Sequence, residues 1–145
     1  MLSDSDCVQE ISRKLQSLAP DDKYTQWLLA EERRAREDFA GAAEIYRKIL
    51  QSNQRDPDTA RRLAEAEIRD GQKSGNQQTI QDGIRKLEAA VRSDPTSAIG
   101  YFSLGWAYHA VPKIRDLDKA KSFYQEGLEY NPRQLTVLNL SLIHI

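Results

Sequence analysis

Residues 93–110 read SDPTSAIGYFSLGWAYHA. Asp94-Pro95 has the makings of a helix start. An oxygen side chain can cap free backbone N–H groups, and proline fits the first turn because it has no N–H to satisfy. Beyond that pair, Tyr101, Leu104, Gly105 and Tyr108 fall at i, i+3, i+4 and i+7, which is one face of a helix. Phe102, Trp106 and His109 make a second stripe at i, i+4 and i+7. A helix with two apolar stripes is either covered on both or holds one for a partner.

The same punctuation recurs along the chain. Pro20, Pro57, Pro95 and Pro132 are separated by 37, 38 and 37 residues. Three of them stand in matching contexts, RDPDTA, SDPTSA and YNPRQL, where Asp56, Asp94 or Asn131 can cap a helix. A fixed period of this size is the mark of a repeat array. Each period holds two helical patterns. The first has Trp27, Leu28 and Ala30, the polar turn ERRARED, then Phe39, Ala42, Ile45, Tyr46, Ile49 and Leu50. The second has Leu63, Ala66 and Ile68, a solvated connector expected at DGQKSGNQQT, then Ile80, Gly83, Ile84, Leu87, Ala90 and Val91. In the third, Pro112 breaks HAVPKIRDLD before Leu117, Ala120, Phe123, Tyr124, Gly127 and Leu128. Val8, Ile11, Leu15 and Leu18 predict one more helix in front, capped by Ser3 or Asp4. No stretch alternates with period two long enough to predict a strand.

YFSLGWAY resembles the opening W-x2-L-G-x2-Y of the tetratricopeptide repeat, with Tyr101 in the place of tryptophan. Ala120 and Tyr124 supply the following A-x3-F/Y, and Pro132 the closing proline. The first period matches through Phe39, Ala42 and Tyr46. The second departs from the pattern, with Glu67 where a small residue is expected and Gly83 in the place of alanine. The resemblance implies an all-α, right-handed solenoid of about three helix pairs (20–56, 57–94 and 95–132). An N-terminal helix (1–19) precedes them, and the start of a truncated further repeat (133–145) follows.

The resemblance also implies that the first helix of each pair lines a concave groove for a peptide or partner helix. By register the groove set is Tyr24, Trp27, Glu31 and Arg34; Arg61, Ala64 and Ile68; and Ile99, Phe102, Trp106 and His109. Aromatic residues and arginine are common anchors of binding hot spots. This set suits an acidic or aromatic segment of a protein partner. The competing reading is that Phe102 and Trp106 pack under a further repeat. Chaperone-binding members of the family grip a C-terminal carboxylate with lysine and asparagine. Here Trp27, Glu31, Phe102 and Trp106 stand in those places, so that clamp is not expected. The array is read as an adaptor or scaffold. The alternatives are an interaction fragment of a larger protein, or a structural array that associates with itself.

Composition limits the other classes. With 30% charged residues and a net charge of −1, the chain has no electrostatic excess for nucleic acid or anionic membrane. No apolar run reaches membrane-spanning length. Cys7, the one cysteine, excludes a disulfide framework, reads as buried or half-buried, and fits a reducing compartment such as the cytoplasm. His109 and His144 are the two histidines, and no nucleophile–base pair, metal-ligand spacing or phosphate loop accompanies them. No enzymatic activity, cofactor or metal is expected.

The end of the chain, RQLTVLNLSLIHI, carries no charge after Arg133. Leu135, Val137, Leu138 and Leu140 predict the start of a helix with no second helix to cover it. That leaves Tyr124 and Leu128 under-covered and favours self-association. The last six residues can be the translation of a transposase end used in sequencing libraries, so the native chain is expected to run on past Asn139. A short apolar helix docked on the last pair is the alternative.

Overall fold

The structure, a computed structural model, describes residues 3–53 and 55–134. Among the described residues it contains seven α-helices and no strand. The expected truncated repeat lies mostly outside the described residues, which end in a 3-10 turn at Pro132–Gln134.

Polar side chains start the helices. α1 (Asp4–Leu18) begins with a reciprocal capping box between Ser3 and Asp6. Asp22 caps α2 (Lys23–Ala35), and Asp38 caps α3 (Phe39–Ser52). The tight α2–α3 turn places Glu37 at φ 61°, in the left-handed region. α4 (Pro57–Ser74) starts as expected, on Asp56 with Pro57 in the first turn. Asn76 caps α5 (Gln77–Ser93), Ser97 caps α6 (Ala98–Ala110) and Asp116 caps α7 (Leu117–Tyr130).

Two expected boundaries are corrected. Pro95 does not open a helix. It sits in the turn before α6, whose cap is Ser97, and Asp94 instead ends α5. The expected connector DGQKSGNQQT is almost wholly helical: α4 runs through Ser74, and only Gly75 and Asn76 join it to α5. Gly71 permits this. A Cβ there would lie 2.7 Å from Ile80 Cγ1 and 2.9 Å from the Asn76 carbonyl oxygen, so the incoming α5 passes at backbone contact. Gly75 then ends the helix at φ 73°, a conformation cheap only for glycine. The second repeat is thus lengthened in its helices. The third carries its surplus between them, in the 3-10 turn Pro112–Ile114.

The helices pair as α2/α3, α4/α5 and α6/α7, with α3 on α4 and α5 on α6 joining the pairs into an α-solenoid. Three apolar clusters run along it. Ala30, Ala42, Tyr46, Ile49, Leu63 and Ala66 fill the first. Ala64, Ile68, Ile84, Leu87, Tyr101 and Leu104 belong to the second. The last is built on Ala120 and Tyr124, with Phe102 and Leu128 beside them. Tyr124 is 4% exposed, so its expected under-coverage is not found: its ring lies on Gly105. α1 packs on α2, and Val8, Ile11 and Leu18 on its apolar face stay open to solvent. Cys7, expected to be buried or half-buried, is exposed.

Candidate peptide groove

The middle helix builds the site. Leu63 and Ala66 of α4 go to the first cluster, Ala64 and Ile68 to the second. What remains of its circumference carries Asp58, Arg61, Arg62, Glu65 and Arg69, spaced i, i+3, i+4, i+7 and i+11. Arg61, Arg62, Glu65 and Arg69 of this stripe form the floor of a cavity of about 290 Å³. Arg34 of α2 stands on one side, and Ile99, Phe102, Ser103 and Trp106 of α6 on the other.

The basic lining is heavily paired. Arg61, only 5% exposed, reaches Asp58 at 2.8 Å and Glu65 at 2.7 Å. Burial alone would lower its pKa, but the two carboxylates, Glu65 foremost, raise it above the ordinary arginine value and keep it charged. Arg62 lies 3.3 Å from Glu65 and 3.4 Å from Glu31. Arg34 is 2.8 Å from Glu31. Glu31 also accepts a hydrogen bond from the buried Tyr46 hydroxyl, and the Ser103 hydroxyl donates to Glu65. Arg69 differs. Its guanidinium lies 4.6 Å from the Trp106 ring and 5.9 Å from the Phe39 ring, and among the described residues it has no ion-pair partner.

The residues expected in the groove separate into distinct places. Arg34, Arg61, Ile99, Phe102 and Trp106 come together at the cavity. Phe102 also packs on α7, where Gly127 leaves room for its ring. Trp27 lies against the first core, with Arg62 over its ring at 5.9 Å. Glu31 holds arginines rather than lining the cavity. Tyr24 is 78% exposed and stands away from it. His109 meets the Tyr124 ring edge-on at 6.5 Å. Ile68 and Ala64 are corrected outright. Both are fully buried, pressed against Gly83 of α5, and cannot touch a ligand. Arg62, Glu65 and Arg69 were missed, although their helical spacing with Arg61 is a signal that the sequence carries.

The described residues contain no group of three histidine, cysteine or acidic side chains able to hold a metal, and no helix long and apolar enough to cross a membrane. No protein-family model matches the chain, and no curated protein matches it. Solved structures do share the fold. The structure of MamA MSR-1 C2 superposes with a TM-score of 0.60 at 15% identity, over 88% of this chain and 70% of the other. A crystal structure of MamA does so with 0.60 at 17%, over 90% of this chain and 70% of the other. MamA contains tetratricopeptide repeats. At this identity the likeness is one of fold.

Proposed function

We propose that the chain is a non-catalytic adaptor whose concave face, formed by α2, α4 and α6, binds an extended segment of a protein partner with acidic and aromatic or aliphatic side chains. One observation carries the reading. Ile99, Phe102 and Trp106 share a cavity with four arginines, so apolar anchors and hydrogen-bond donors converge there. Tryptophan and arginine are the residues most often found at binding hot spots. Nucleic acid fits the site poorly, because most of its guanidinium charge is already met by carboxylates. The lone cysteine suits work in a reducing compartment such as the cytoplasm.

Selection of peptides from a displayed library against the full chain, followed by calorimetric titration, tests the proposal. Saturable binding is expected. It should fall at least about tenfold in Trp106→Ala and in Ile99→Asp. Ile99 is 49% exposed, so its substitution leaves the packing intact. Absence of saturable binding would point to a purely structural array, and binding unchanged in both variants would place the site away from this cavity.

A further inference from the structure

Four guanidiniums line or border the cavity, and three carboxylates reach them. Asp58 and Glu65 hold Arg61, Glu65 and Glu31 hold Arg62, and Glu31 holds Arg34. The site therefore looks strongly basic in sequence but is nearly neutral in space. The uncompensated charge sits at Arg69. That side chain is exposed, and its guanidinium lies over the Trp106 ring. An aromatic face satisfies few of a guanidinium's N–H donors, and their fork matches a planar acceptor. A carboxylate is such an acceptor, and it matches one unit of charge.

We propose that Arg69, held by Trp106, reads a single internal aspartate or glutamate of the partner segment. Arg34, Arg61 and Arg62 shape the groove and do not select charge. This rests on the groove reading above. The acid is internal because α4 is the middle of the three helices. A segment laid across them has chain on both sides of Arg69. The apolar wall formed by Ile99, Phe102 and Trp106 lies on the α6 side. An aliphatic or aromatic residue next to the acid is therefore part of the motif. Helices pack ~8–10 Å apart, and an extended residue advances ~3.4 Å, so about seven to nine residues cross the three helices.

The test uses two pools of peptides of that length, acetylated and amidated, with Phe or Leu varied through the flanks. The centre is glutamate in one pool and glutamine in the other. Titrated calorimetrically into the full chain, the glutamate pool should bind about tenfold more tightly, the usual scale for a hydrogen bond to a charged group. Arg69→Gln should abolish that preference and leave the glutamine pool unchanged. Arg69→Lys should restore part of it, and Arg34→Gln should keep it. Equal binding of the two pools, or a preference that survives Arg69→Gln, overturns the assignment while leaving the groove standing. If a glutamine-centred pool with a free C-terminal carboxylate binds as tightly as the glutamate pool, the acid is terminal and the internal assignment fails. If neither pool binds, the groove reading falls and this inference with it.

Discussion

The carboxylate of Glu67, on α4, receives the ammonium of Lys86, on α5, with both oxygens at 2.6 Å. Arg47 of α3 approaches the same carboxylate at 3.2 Å. Glu67 is 5% exposed, so a charged residue stands where the repeat pattern expects a small one, and three helices belonging to two repeats meet on it. The side chain is tolerable there because two cations from outside the core reach in to it.

Glu67→Gln is expected to lower stability by about 1–2 kcal/mol, since Lys86 and Arg47 keep much of their hydration when the charge is removed. Lys86→Met should cost more, because it leaves a buried carboxylate with one cation. Urea denaturation of the two variants checks the order. If Lys86→Met proves the milder change, the ion cluster is not what holds α3, α4 and α5 together.

Gly83 marks a second close approach of α4 and α5. A Cβ there would come within 2.7 Å of Ile68 Cγ1 and 2.9 Å of the Ala64 carbonyl oxygen. The second contact is with backbone, which cannot rotate away. Gly83→Ala should therefore destabilise by about 1–3 kcal/mol through overpacking, despite alanine's better helix propensity. A urea midpoint equal to or above that of the parent chain would show that the hairpin can open without cost.

Tyr46 governs part of the alkaline limit. Burial, then its hydrogen bond to Glu31, pushes its pKa well above the ordinary 10.0. A raised folded-state value contributes stability that is fully present below the unfolded pKa and is lost as pH rises toward the folded one. Stability should thus decline above about pH 10. Tyr46→Phe should show a shallower decline, and the remainder should persist because Tyr101, Tyr108 and Tyr124 are shifted the same way. Parallel alkaline profiles for the parent and Tyr46→Phe would remove Tyr46 from this role.

Asp56 governs part of the acid limit. It caps α4 through the N–H groups of Asp58 and Thr59, and Lys23 of α2 reaches it at 2.8 Å. Burial acts to raise its pKa, but the hydrogen bonds from Lys23 and Thr59 outweigh this and hold it below the ordinary 3.8. Its contribution is present above that value and is lost as pH falls through the lower, folded one. Asp56→Ala should cost about 1–2 kcal/mol at neutral pH and flatten the stability profile below pH 4. Thermal melts across that range decide it, and an unchanged acid slope would count against the assignment.

Much of the architecture is legible in the linear chain because its causes are local. Asp56-Pro57 begins a helix wherever that helix later packs, and the i, i+3, i+4, i+7 spacing of Tyr101, Leu104, Gly105 and Tyr108 marks a buried face. Pro95 shows the limit of this logic: its turn is real, but Ser97 supplies the cap, three residues after the expected Asp94. The connector at residues 70–79 was misread because its glycines and polar residues signal a loop. Gly71 is instead a packing surface for Ile80.

The helical repeat, its three pairs and their order follow from the sequence itself, since periodicity, caps and breakers act within a few residues. Only the tertiary structure decided which side of α4 faces the cavity. That helix buries two faces, Leu63 and Ala66 on one and Ala64 and Ile68 on the other. Its rotation depends on how two neighbouring pairs divide those faces, and no local spacing encodes that division. The same packing neutralises Arg34, Arg61 and Arg62 and leaves Arg69 on Trp106, because a charge's partners are set by distance in space rather than along the chain.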